Sequence, residues 1–331
     1  MALKVAILGL KGHQGIAVQG ISQLPDAELV AVSDSDPALL AGVSSWKCAT
    51  ERTRTYTDWR ELLEKEEVDV LCEAGVDSER AQIVQAAAAR GVHCLTEKPL
   101  ANSLPELADI RTALKTSGIH LSMLLTMRFE PAYRLVREVI ASGAIGDICM
   151  ATAQKSYRLG NRPEWQRSRQ TFSGIIPFIG IHALDLIRWC GGQEFTEVYG
   201  ACGNTGHPEL RDMEDQGQVL AKLAGGGTAT ARLDFCRPAA APTHGDDALR
   251  FAGNKGVIEA TACGTRVVLI THDEAPHELQ IPPPPGNQFV NFVQSIRGEA
   301  VCEVPTEDCL RMTEVVLKAR ASARRGMPYP V

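Results

Sequence analysis

No run of eighteen or more apolar residues occurs in the 331-residue chain, so no bilayer-spanning helix and no membrane association are expected. There is no basic excess: 40 acidic against 34 basic side chains leave a net charge of -6, which argues against a nucleic-acid surface. None of the ten cysteines stands in a C-x-x-C pair, and no internal repeat or low-complexity tract is found beyond Pro282-Pro283-Pro284-Pro285. Several cysteines (Cys72, Cys94, Cys149) fall inside expected strands, so they read as reduced thiols rather than a disulfide framework. A strand starts at Leu3-Lys4-Val5, leaving no room for a signal peptide, and a cytoplasmic location is expected.

What is present is the composition of a globular protein, 44% hydrophobic and 22% charged, in a chain long enough for two cores. Over the first 120 or so residues, apolar strands alternate with amphipathic helices, which predicts a parallel α/β sheet. Expected strands are 4–8, 28–32, 68–72, 92–96 and 119–125. Helix signals punctuate them: Asp58 with Glu61, Gly91 after an Ala-rich stretch, and Ser103-x-Pro105-Glu106. Beyond a helix ending near Gly143 the texture changes to long strands joined by tight turns. Gly225-Gly226-Gly227 and Gly253-Asn254-Lys255-Gly256 each predict a hairpin, hence a mainly antiparallel sheet. The fold class is therefore α/β, a doubly wound Rossmann domain over residues 1–122. An α+β domain with a large open sheet follows over 123–331.

Gly9-Leu10-Lys11-Gly12-His13-Gln14-Gly15 follows the first strand and opens a helix. Small residues belong where the chain turns tightly and its backbone approaches a pyrophosphate. Asp34 follows Gly15 by 19 residues, at the end of the second strand, where an acid bonds the adenosine ribose hydroxyls. A carboxylate there repels a 2′-phosphate, so NAD is expected over NADP. Glu97-Lys98-Pro99 ends another strand, and ligands of doubly wound sheets sit at such carboxyl ends. In the second half, Gly180-Ile181-His182-Ala183-Leu184-Asp185 puts a histidine and an acid on one helix face. Histidine is the usual proton-transfer group near neutral pH.

Together these motifs resemble the Gfo/Idh/MocA oxidoreductase family. Met127-Arg128-Phe129-Glu130-Pro131 and Gly143-Ala144-Ile145-Gly146-Asp147 resemble its interdomain helix and the following strand. The resemblance spans nearly the whole chain. It implies hydride transfer between a nicotinamide and a sugar, cyclitol or related polyol. Lys98 and His182 would be the catalytic pair, with Gly9, Gly12, His13, Gln14, Gly15, Asp34, Glu97 and Lys98 around the cofactor. Lys155, Arg162 and Asp185 would be substrate contacts. It also implies a homodimer or homotetramer built through the second domain's sheet.

Two positions depart from the family pattern. Many members carry aspartate four residues before the histidine, where this chain has Phe178. The usual Thr-Pro loop after the fourth strand is replaced by Glu73-Ala74-Gly75-Val76-Asp77-Ser78-Glu79-Arg80. Both changes are expected to face cofactor or substrate. They keep two alternatives open: a nucleotide-binding sensor or structural member without turnover, and NAD-assisted glycoside cleavage. His272, Asp273, Glu274 and His277 sit between a strand and the proline run, where polar residues belong anyway, and no metal site is assigned.

Overall fold

The computed structural model describes residues 2–331. In chain order the first elements are β1 (Leu3–Leu8), α1 (Gly15–Ile21), β2 (Ala27–Ser33), α2 (Pro37–Leu40), β3 (Arg54–Tyr56) and α3 (Trp59–Lys65). Next come β4 (Val70–Glu73), α4 (Asp77–Ala89), β5 (His93–Thr96), α5 (Leu104–Ser117), β6 (Leu121–Met123) and α6 (Pro131–Ala141). Then follow β7 (Ile148–Ser156), α7 (Ile181–Gly191), β8 (Phe195–Gly203), β9 (Gln216–Leu223), β10 (Thr228–Asp234) and β11 (Ala248–Gly253). The last are β12 (Gly256–Thr261), β13 (Arg266–Thr271), β14 (His277–Glu278), α8 (Gln288–Ile296), α9 (Thr306–Arg325) and β15 (Tyr329–Pro330).

The chain divides into two compact units, residues 1–124 with 286–311 and residues 125–285 with 312–331. A single cut after residue 122 is thus too simple. The stretch after the proline run returns to the first unit, because α8 carries apolar residues that this core needs. Phe289, Phe292 and Val293 join Leu10, Ala17 and Ile21 in one buried cluster. Gly20 of α1 makes the approach possible, since a Cβ there would lie 2.8 Å from the Phe289 side chain. Asn287 caps α8 by accepting from the N–H groups of Phe289 and Val290, and its amide donates to the Ile16 carbonyl.

The first unit holds a six-stranded parallel sheet of order β3-β2-β1-β4-β5-β6. Its central strands are covered on both faces, and β4 is buried at every position. Local signals set the helix ends. Asp58 accepts from Arg60 N–H, and Ser103 from Glu106 N–H. Gly118 closes α5 in the left-handed conformation, at φ +69°.

The second unit holds a nine-stranded sheet of order β14-β13-β12-β11-β7-β10-β9-β8-β15. Every pairing is antiparallel except β7 with β10. The period of two shows in β10, where Ala229, Ala231 and Leu233 are buried while Arg232 is exposed. Helices α6 and α7 cover the inner face. The outer face carries exposed Met150, Tyr199 and Leu220 among polar residues. Both glycine turns make the expected hairpins, β9–β10 and β11–β12.

The α8 contribution is testable. Phe289→Ala empties a fully buried site, and an unfolding free-energy loss of about 3–5 kcal/mol is expected for the first unit. Urea denaturation checks it; a loss below about 1 kcal/mol would mean that α8 only rests on the surface.

Candidate active site

In the first unit, the chain leaves β1 through Gly9, whose φ of +82° lies in the left-handed region. A Cβ at Gly9 would sit 2.3 Å from the Gly75 Cα, so the turn after β1 and the loop after β4 touch backbone to backbone. Gly12 is confined from another side: its Cβ would lie 2.6 Å from a carboxylate oxygen of Glu97. That same oxygen accepts from the His13 N–H at 2.7 Å and contacts the His13 ring nitrogen Nδ1. Glu97 therefore clamps the glycine turn, and His13 belongs to the clamp. Burial alone would raise the Glu97 carboxyl. The His13 hydrogen bond and the charges of His13, Lys98 and Arg80 outweigh burial and hold it well below the usual carboxylate range. Gln14 turns back on the loop, its amide donating to the Leu10 carbonyl at 3.4 Å. At Gly15 nothing stands within 4 Å of an added Cβ, leaving open space beside the turn.

Asp34 ends up just past β2, as its spacing predicts. Its Oδ2 accepts from Leu10 N–H at 2.8 Å and its Oδ1 from Asp36 N–H at 2.8 Å. Lys11 lies over the same carboxylate, with Nζ 3.2 Å from Oδ1 and 3.3 Å from Ser35 Oγ. A cavity of about 300 Å³ opens here, lined by Gly9, Lys11, Asp34, Ser35, Gly75 and Val76 among others. It has the backbone approach and the acid that an adenosine ribose needs, so these residues fit a dinucleotide. Lys11, the cation over Asp34, was not singled out by sequence, because a lysine inside a glycine turn has no special spacing.

The unusual loop after β4 behaves differently from expectation. Glu73 and Arg80 do not face a ligand: both are buried and paired, Arg80 Nε donating to Glu73 Oε2 at 2.7 Å. The same guanidinium donates to Asp77, to the Gly75 carbonyl and to the Pro99 carbonyl. Thr96 completes the network through its hydroxyl, at 2.7 Å from Glu73 Oε2. Only Gly75, Val76 and Glu79 of this loop reach the cavity. Lys98 follows β5 directly, is buried, and has its ammonium 4.0 Å from Glu97 Oε2. The Lys98-Pro99 peptide is cis.

In the second unit, one π-helical turn over Ile176–Gly180 leads into α7 and puts buried His182 at the helix start. Such turns recur at functional sites and leave no distinct mark on a sequence. Gly180 lets the turn press on the sheet, since its Cβ would be 2.7 Å from Leu233. Asp185, expected as a substrate contact, is paired with Arg128. Its two oxygens accept from Arg128 at 2.9 and 2.6 Å, and both side chains are buried. Phe178 packs edge-on against Phe172 and Trp165, with ring centroids 4.9 and 6.3 Å away. Lys155 is buried and paired with Asp247, and its Nζ lies 4.9 Å over the Tyr157 ring. Burial would lower the Lys155 ammonium, but Tyr157 and Asp247 outweigh it and keep it charged. Arg162 stacks on Phe235 at 4.2 Å. His207, Asp215 and Cys236 lie close enough to suggest metal ligation, yet the Asp215 carboxylate already accepts from Thr205 and Gly206 N–H groups. That acid organises its own loop.

Residues 3–124 match the model of an oxidoreductase family with an NAD-binding Rossmann fold, and residues 133–259 match the GFO/IDH/MocA C-terminal domain. The chain belongs to the Gfo/Idh/MocA oxidoreductases. Among relatives, the oxidoreductase YrbE of Bacillus subtilis is 24% identical over 98% of this chain and 95% of its own. A myo-inositol 2-dehydrogenase of Thermotoga maritima is 24% identical over 82% of this chain and 79% of its own. A solved oxidoreductase structure, also from Thermotoga maritima, superposes with a TM-score of 0.93 at 30% identity, covering 99% of this chain and 100% of that one. Within this Gfo/Idh/MocA chain, Glu97 gives a pH test. Its depressed carboxyl must be ionised to hold the turn. The stability it adds is therefore present above the ordinary carboxylate value, about 4.3, and lost as pH falls below it. Wild type should lose thermal stability between about pH 5 and 3 more steeply than Glu97→Gln. Equal slopes in the two proteins would take Glu97 out of the clamp.

Proposed function

We propose that this chain is an NAD-dependent dehydrogenase acting on a CH–OH group of a sugar, cyclitol or related polyol. The observation that carries the reading is Lys98 emerging from β5 in the same unit as the Gly9 turn and Asp34. When bound, NAD supplies the hydride acceptor. Asp34 and the glycine turn hold its adenosine end. Lys98 donates to the reacting hydroxyl and stabilises the oxygen as negative charge develops. His182 takes the hydroxyl proton. The inositol dehydrogenase relative supports the polyol class. Phe178 is the specific observation in favour of the second reading, a nucleotide-binding member without turnover, because an aromatic ring moves no proton. A screen of sugars, cyclitols and sugar acids with NAD and NADP, followed by nicotinamide absorbance, tests the reading. No turnover of any of them, by protein shown to bind the cofactor, favours the second.

Three measurements sharpen this. On a verified substrate, Lys98→Ala and His182→Ala should each lower kcat by roughly 100-fold or more. His182→Ala should leave NAD affinity nearly unchanged, and near wild-type turnover in both variants would remove the pair from the mechanism. Fluorescence titration should show NAD(H) binding tighter than NADP(H). Because Lys11 partly neutralises Asp34, Lys11→Ala should widen that gap by about tenfold, and a narrowed gap would put the discrimination elsewhere. We also propose that the outer face of the second unit's sheet pairs with a second copy, as a homodimer or homotetramer. Met150, Tyr199 and Leu220 on that face support it. Light scattering at micromolar concentration should exceed the 35.7 kDa of one chain.

A further inference from the structure

The segment after β7 concentrates positive charge in a chain that is acidic as a whole. Arg162 is half-buried in the second unit. Its Nη2 donates to the Arg158 carbonyl at 3.4 Å, and its buried Nε has no acceptor. Arg158 also buries an Nε without an acceptor. Neither guanidinium makes a salt bridge among the described residues. The carboxylates nearby are committed elsewhere: Asp247 to Lys155, Asp246 to Arg237, and Asp234 to Ser156 and the Cys236 N–H. His244 stacks on Tyr157 at 5.2 Å, and Arg158 N–H donates to the His244 carbonyl at 2.9 Å. Burial, with the charges of Arg162 and Arg158, pushes the His244 imidazole below its ordinary value.

A guanidinium taken out of water without a counter-ion is costly, and stacking on Phe235 offsets only part of that cost. The planar fork of arginine matches an oxyanion in two hydrogen bonds. We propose that Arg162, with Arg158 beside it, binds an oxyanion on the substrate, so that the substrate is an acidic sugar or cyclitol derivative. This rests on the dehydrogenase reading for what then happens to the ligand, but not for the binding itself. A carboxylate and a phosphate share the chemistry; the fork does not choose between them.

The test separates the two claims. Calorimetric titration of the NADH-loaded protein uses a hexuronate, a hexose phosphate and the neutral parent hexose. At least one anion should bind ten or more times tighter than the neutral sugar, and which one does identifies the group. Arg162→Gln should erase the preference while leaving NADH affinity and the unfolding midpoint unchanged. Arg162→Lys should restore part of it, which a purely structural arginine would not show. Equal binding of charged and neutral sugars, no binding of either anion in the millimolar range, or a preference that survives in Arg162→Gln overturns the proposal. Anion binding through Arg162 without nicotinamide absorbance change would leave the site standing and defeat the dehydrogenase reading. Turnover of neutral and acidic sugars with the same KM, in wild type and in Arg162→Gln alike, would do the reverse.

Discussion

Arg80 is the fixed point of the first unit. One buried guanidinium ties the end of β4 (Glu73), the first residue of α4 (Asp77), the loop between them (Gly75) and the segment after β5 (Pro99). Two carboxylates against one cation, with the remaining donors on carbonyls, satisfy the burial requirement for such a group. Removing one partner from a buried set like this typically costs about 3–5 kcal/mol. The Gly9 turn leans on Gly75, and Glu97 and Lys98 stand beside Pro99, so the placement of both follows from this network.

That network explains why part of the sequence was misleading. Glu73 and Arg80 stand seven apart, in a loop expected to face a ligand, and nothing in their spacing says that they face each other. Asp185 is similar: its helix-face neighbour His182 was legible, but its partner Arg128 lies 57 residues earlier. Pairing across such distances is a tertiary fact. The places of the glycine turn, Asp34 and Lys98 in the fold were legible because each depends only on the end of one strand and the turn after it. The hairpins of the second sheet were legible for the same reason. The short edge strand β3 and the π turn before His182 were not, since one is barely buried and the other differs from an α-helix by a single residue.

The two cationic features differ in kind. Lys155 is buried with a counter-ion and so is balanced within the fold. Arg162 is held by an aromatic face and a carbonyl, and among the described residues no carboxylate pairs with it. Phe178, whose ring can carry no proton, packs edge-on against aromatic side chains of the same segment that carries Arg162.

The return of residues 286–311 to the first unit sets the order in which the molecule can be made. A ribosome delivers β1 through β6 early, yet Phe289 and Phe292 leave it only after eight of the nine strands of the second sheet have been synthesised. Until then the α1 side of the Rossmann core is an uncovered apolar surface on a nascent chain, exposed to chaperones and to aggregation. The nucleotide unit begins first, yet it cannot close until most of the second unit has been made.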